Sequence, residues 1–299
     1  MKTERLRLED GAGLHVRNEG VDGTPDVLYV HGSTFGCEQS IFFGFDDGRS
    51  WATALTEGGF KAWGFDFVGY GRSSRYADDG HLHGRGEEAV QQLLAVLRHI
   101  RAGNGRRPVH LLAHSWGGTV AARAAALRPA DVASLVLFAP VVARPGPLPI
   151  EALPPQRANT AWAQYRRFVE DVPRGNAQVL DEGHFETWSR AYLASDAASA
   201  TRHPPSVLTP NGPAADVQAL WNGRPLFDAR AVRQPQLLVR GEWDSVCHDG
   251  DVATWFAGVG SAVQRDVVIP AGTHLLHLES GRHALHAAVN RFLHEVSPP

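Results

Sequence analysis

Ser115 is the residue whose surroundings most restrict the chemistry open to it. It lies in Leu111-Leu112-Ala113-His114-Ser115-Trp116-Gly117-Gly118, where an apolar run gives way to small residues and then to Val120 through Leu127. The pattern reads as a strand, a tight turn and a helix. A serine on such a turn holds its hydroxyl clear of the strand end, and small neighbours let the backbones approach; Ala113 stands where the first glycine of the usual pattern would be. A serine hydroxyl is a weak nucleophile at neutral pH, so it needs a base and an acid to orient that base. Both follow in chain order. Asp244 closes Gly241-Glu242-Trp243-Asp244 after the run Gln236 to Arg240, and His274 lies in Gly272-Thr273-His274-Leu275-Leu276-His277-Leu278-Glu279 after Val267 to Ile269. His274 is the expected base, with His277 as its rival. Asp244 is the expected acid, ahead of Glu242, Asp249 and Asp251, which read as solvated surface charges. The stretch Val141 to Pro149, after the strand ending at Phe138, contains no carboxylate that would compete.

Acyl transfer to serine also requires two amides aimed at the developing oxyanion. Trp116 N–H, directly after the serine, supplies one. His31-Gly32-Ser33-Thr34-Phe35-Gly36 follows the run Val27 to Val30 and points to Ser33 N–H as the second donor, with Thr34 as the fallback. Phe35 and Trp116 flank this position and are expected as pocket walls. Trp162, Trp188 and Tyr192, from an aromatic stretch further on, are expected to face substrate as well, which predicts a small molecule with a bulky apolar acyl group.

The elements that must position these residues are legible from apolar runs. Val27–Val30, Val109–Leu112, Leu135–Phe138, Leu237–Val239 and Val267–Ile269 are short and continuous, as strands buried on both faces would be. Helical periods lie between them, for example Val90, Leu93, Leu94, Leu97 and Ile100, or Leu285, Val289, Phe292 and Val296. The alternation predicts an α/β fold with a mostly parallel sheet covered on both sides. At the N-terminus Leu6, Leu8, Leu14 and Val16 alternate with polar residues around Asp10-Gly11-Ala12-Gly13, an antiparallel hairpin at the sheet edge. From Pro145 to Arg230 the strand rhythm stops and helical, aromatic segments take over. The expected organisation is a core of residues 1–144 and 231–299 with a helical lid of residues 145–230 inserted.

With these parts in hand the chain resembles the α/β-hydrolase fold superfamily, in its serine branch with a helical lid. Phe65-Asp66-Phe67-Val68-Gly69-Tyr70-Gly71-Arg72-Ser73 matches the Asp-x-x-Gly-x-Gly-x-Ser segment of that superfamily, and the likeness covers roughly Arg5 to Pro140 and Arg233 to Leu293. The resemblance implies a cofactor-independent hydrolase of a carboxylic ester, lactone or related acyl bond, working through an acyl-enzyme. Epoxide hydrolases and haloalkane dehalogenases of this fold carry Asp where this chain has Ser115. Proline iminopeptidases share Ser-Trp-Gly but have His-Gly-Gly-Pro-Gly where this chain has His31-Gly32-Ser33-Thr34-Phe35. Hydrolases of C–C or amide bonds, acyl transferases or cyclases, and non-catalytic small-molecule binders of the same fold remain open alternatives.

Other classes are argued down by composition. Of 299 residues 43% are hydrophobic and 20% charged, with a net charge of -3, which suits a packed core and gives neither disorder nor a basic nucleic-acid footprint. No apolar run is long enough to span a membrane, and the start Met1-Lys2-Thr3-Glu4-Arg5-Leu6 has no secretory character, so a cytoplasmic location is expected. Gly69-x-Gly71-x-x-Ser74 misses the dinucleotide fingerprint at its third position. The pairs His274/His277, His283/His286 and His81/His83 come without His-Glu-x-x-His or Cys-x-x-Cys, so no metal and no cofactor is expected. Cys37 and Cys247 read as small buried hydrophobes.

Overall fold

The computed structural model describes residues 1–297. In chain order the elements are β1 (Lys2–Arg7), β2 (Gly13–Glu19), β3 (Asp26–Val30), α1 (Trp51–Glu57), β4 (Lys61–Phe65), α2 (Gly86–Gly103), β5 (Val109–His114), α3 (Trp116–Leu127) and β6 (Val132–Phe138), followed by β7 (Gln156–Thr160), α4 (Ala161–Val169), α5 (Glu182–Ala194), β8 (Ser206–Pro210) and α6 (Gly212–Leu220), and finally β9 (Gln236–Gly241), α7 (Asp249–Gly258), β10 (Gln264–Ile269) and α8 (Arg282–Val296). Eight strands form one sheet in the order β1-β2-β4-β3-β5-β6-β9-β10. The β1–β2 and β2–β4 pairs are antiparallel and the rest are parallel, as the α/β reading with an N-terminal hairpin requires.

The apolar runs became central strands because both of their faces are covered. Along β3, Leu28 and Val30 join the core under α2 and α3, whereas Val27 and Tyr29 join the core under α1 and α8. The same alternation continues in β5, β6 and β9, where Leu111, Leu135 and Leu238 face one side and Leu112, Val136 and Leu237 the other. Strand β10 departs from expectation. It lies at the sheet edge with most of its residues partly or fully exposed, so Val267–Ile269 is not a strand buried on both faces.

Residues 145–230, expected to be helical, also contain two strands. β7 and β8 pair antiparallel in a separate two-stranded sheet, from Gln156 opposite Pro210 to Thr160 opposite Ser206. β7 reads Gln156-Arg157-Ala158-Asn159-Thr160, polar at four of five positions, and so carries no apolar signal.

Asp66, at the end of β4, ties two loops to the sheet. Its carboxylate accepts from the amides of Cys37 at 2.8 Å and Arg72 at 3.0 Å, and the carboxylate is fully buried. A Cβ on Gly36 or Gly71 would come within 2.1 or 2.0 Å of that carboxylate, so glycine at both positions is what lets the loops close around it. Replacing Asp66 by Ala leaves the buried Cys37 amide and the part-buried Arg72 amide without acceptors, and the buried one alone costs about 1–3 kcal/mol. Chemical denaturation of Asp66→Ala is therefore expected to show a loss of at least about 1–3 kcal/mol; a midpoint equal to the parent protein would show that the two loops do not depend on this carboxylate.

Candidate active site

The carboxyl ends of β3, β5, β9 and β10 open on one side of the sheet, where the strand order reverses around β3 and ligands bind in folds of this kind. Ser115 follows β5 and has φ 56° and ψ −126°, a left-handed conformation that an L side chain adopts only under constraint. The constraint is a set of backbone bonds. Ser115 N–H donates to Phe138 at 3.0 Å, and its carbonyl accepts from Gly118 at 3.0 Å and Val141 at 3.2 Å. Two glycines make the room: a Cβ on Gly117 would be 2.4 Å from the His31 carbonyl oxygen, and one on Gly32 would be 3.3 Å from the Ser115 Cβ.

Three side chains from three loops meet here. His274 Nε2 is 3.0 Å from Ser115 Oγ, and His274 Nδ1 is 3.1 and 3.2 Å from the two carboxylate oxygens of Asp244. Asp244 also accepts from the amides of Val246 at 2.7 Å and Cys247 at 3.1 Å. Burial works against its ionisation, but His274 and these two amides hold its carboxyl below the ordinary value. An ionised Asp244 fixes the proton of His274 on Nδ1 and leaves Nε2 free to accept from the serine. The rivals lie elsewhere. Glu242 accepts from the Ala271 amide, Asp249 and Asp251 pair with Arg240 and Arg144, and buried His277 finds no hydrogen-bond partner for either ring nitrogen among the described residues.

The loop after β3 is oriented by His31. Phe67 N–H donates to His31 Nε2 at 3.0 Å, which puts the ring proton on Nδ1, where it is donated to the Gly32 carbonyl at 2.7 Å. The Ser33 carbonyl accepts from Tyr70 Oη at 3.0 Å and Arg157 Nη2 at 2.9 Å. The amides of Ser33, Thr34 and Trp116 donate to no acceptor among the described residues. Trp116 opens α3, and its indole is buried against Phe67 and donates to Asp216 Oδ2 at 3.1 Å.

Phe35, Trp188 and Tyr192 share one buried cluster with Leu275, the neighbour of His274, and Leu278. Trp188 stands edge-on to Phe35 with centroids 5.1 Å apart, stacks on Tyr192 at 5.0 Å and donates its indole N–H to the Gln39 carbonyl. It is 1% exposed, buried within this cluster. Trp162 is a correction: 67% exposed and stacked on Tyr165 at the surface, it is outside the cluster. In sequence it shares a helical face with Tyr165 and Val169, and period does not say which face docks: α4 buries Phe168 instead.

Four residues near the site escaped the sequence. His114 Nε2 donates to the His274 carbonyl at 3.0 Å, and burial keeps that ring neutral. Asp171 and Arg157 come from the insertion: Asp171 pairs with Arg167 and lies 3.4 Å from the Ser245 amide, and Arg157 holds the Ser33 carbonyl. Glu279 is buried and accepts from both the amide and the hydroxyl of Thr273, beside His274. His114 adjoins the serine, but nothing local marked the other three.

Burial pushes the Glu279 carboxyl from 4.5 up to about 7, against the Thr273 donors, with Asp171 and Asp244 adding to the rise. Between about pH 4.5 and 7 the unfolded chain releases this proton while the folded chain keeps it. Stability is therefore highest below that window and falls as pH rises through it. Thermal melts of Glu279→Gln should lose this part of the decline; an unchanged slope would mean that Glu279 titrates normally.

Comparison with known proteins agrees with this architecture. Residues 48–281 match the family described as Serine aminopeptidase, S33. Lipase LipV of Mycobacterium tuberculosis is 34% identical over 136 residues, 44% of this chain and 44% of that protein, so the chain matches less than half of that relative's length. The thioesterase domain from the curacin biosynthetic pathway superposes with a TM-score of 0.69 at 17% identity, covering 97% of this chain and 99% of that one. The Paleococcus ferrophilus monoacylglycerol lipase gives 0.64 at 16% identity, covering 95% and 99%. The family match runs through the serine turn and both downstream loops, and the chain belongs to the Serine aminopeptidase, S33 family of the α/β-hydrolase superfamily.

Proposed function

We propose that this protein is a cofactor-independent serine hydrolase that cleaves a carboxylic ester, lactone or related acyl bond of an apolar small molecule through an acyl-enzyme. The observation that carries the reading is the continuous hydrogen-bonded path from Ser115 Oγ through His274 to the Asp244 carboxylate. Ser115 attacks the acyl carbon as His274 Nε2 takes its proton, and Asp244 stabilises the imidazolium that forms. The free Trp116 and Ser33 amides, with Thr34 next in line, receive the oxyanion; one such donor is worth about 3 kcal/mol in the transition state. His274 then gives its proton to the leaving group, and water repeats the sequence on the acyl-serine.

Supporting the ester reading are the name of the lipase relative and the apolar cluster of Phe35, Trp188, Tyr192 and Leu275 beside His274. The aminopeptidase reading rests on the family description alone. A peptide amine at the site would call for a free carboxylate, and Asp171, the carboxylate from the insertion nearest His274, is already paired with Arg167.

Steady-state hydrolysis of nitrophenyl esters of graded acyl length tests the proposal. Ser115→Ala should lower kcat by at least ~10⁴-fold with the fold intact, and Asp244→Asn by about 10⁴-fold through loss of the correct tautomer. Asp249→Asn, at an exposed position, should leave kcat within about twofold. Turnover surviving in a clean Ser115→Ala preparation, or a larger loss at Asp249 than at Asp244, would overturn the assignment. Activity on amides but not esters would favour the aminopeptidase reading, and product formed only with an added alcohol or amine would favour acyl transfer.

A further inference from the structure

The loop between β4 and α2 carries a cluster that the hydrolase reading leaves unused. Asp79, His81 and His83 each present one ligand atom, and all three atoms lie within 4.8 Å of one another. His83 Nε2 is 2.9 and 3.0 Å from the two Asp79 oxygens, and His81 Nδ1 is 3.3 Å from Asp79 Oδ1. Tetrahedral zinc bound at about 2.0–2.1 Å sets its ligand atoms roughly 3.3 Å apart, so both histidine spacings to Asp79 are close to the required one before any ion binds. Gly80, at φ +77°, turns the chain between Asp79 and His81, and the His81 amide donates to Asp79 Oδ1 at 2.9 Å.

The His83 ring is held in place by stacking. It lies against Tyr76 with centroids 4.6 Å apart and planes 3° from parallel, and the Glu88 carboxylate, which accepts from Gly84 N–H at 2.8 Å, lies 3.9 Å from its Nδ1. His81, 78% exposed on its side chain, leaves the remaining direction open to solvent and an entering ion.

We propose that Asp79, His81 and His83 form a three-ligand site for a divalent transition-metal ion of the zinc type, separate from Ser115 and structural in effect. Two imidazoles and one carboxylate select zinc, cobalt or nickel over magnesium or calcium, which take oxygen ligands. Histidine at 81 and 83 is too short a spacing for His-Glu-x-x-His, and the third ligand precedes the pair instead of following it. The site also reaches the insertion. The His83 carbonyl accepts from Gly212 N–H at the start of α6, and Gly84 abuts Pro210 and Pro213, so an ion here would fasten the loop on which the β8–α6 turn rests.

The test is calorimetric titration of Zn²⁺ into tag-free, chelator-stripped full-length protein, repeated with Co²⁺ in the absorption spectrometer. One saturable equivalent is expected, undisturbed by millimolar Mg²⁺, together with a rise in melting temperature. His81→Ala, at a side chain that is mostly exposed, should weaken binding at least ~100-fold and abolish that rise. His203→Ala, at an exposed histidine elsewhere, should bind as the parent does. No saturable equivalent in the parent, or equal affinity in His81→Ala and the parent, would overturn the proposal.

Discussion

The backbone of Ser115 is the constraint on which the rest of the site depends. A non-glycine residue at φ 56° is costly, of order 1–3 kcal/mol, and persists only where its surroundings over-determine it. Here the bonds to Phe138, Gly118 and Val141 pin the turn, and Gly117 lets it lie against the His31 carbonyl. Because β5 is flanked by β3 and β6, the pinned serine necessarily stands between the loops that follow those strands. The amides of Ser33, Thr34 and Trp116, which donate to no acceptor among the described residues, lie on the two loops that meet at this turn.

The remaining parts reach this turn through buried polar anchors. His31 connects Phe67 to Gly32, Asp66 connects the loops on either side of β4, and His114 connects the serine turn to the base loop. From the insertion, Asp216 accepts from Arg85, the Gly86 amide and the Trp116 indole, so α6 is bonded to the residue after the serine. Each anchor is costly to leave unmade, which makes the relative positions of the loops part of folding and not of substrate binding. The inserted segment accordingly rests on the same residues that frame Ser115.

How much of this could be read from the chain depends on the range of the forces involved. The serine turn was legible because its requirements are local: a strand, small residues and a helix within about twenty positions. The central strands were legible because burial on both faces leaves an unbroken apolar run. β10 looked the same in sequence, yet it lies at an edge, since an apolar triplet does not report how many neighbours a strand has. β7 and β8 pair across some fifty residues, and with β7 almost wholly polar and β8 carrying only Val207 and Leu208 before a proline the pair left no trace. Trp162 and Trp188 each lie on an aromatic helical stripe, and the docking of α4 and α5 leaves one exposed and the other buried. The same reason hid Arg157, Asp171 and Asp216, whose partners are about a hundred residues distant.

The proposed function requires that Ser115 be an activated nucleophile and not a serine that happens to lie near a histidine. Intact-mass and peptide spectrometry after incubation with a fluorophosphonate tests it most directly, because phosphonylation needs the proton transfer to His274 but no knowledge of the substrate. A single adduct is expected on the peptide containing Ser115, absent from Ser115→Ala and strongly slowed in His274→Ala. A folded parent protein that takes no label, or that takes it on another residue, would contradict it.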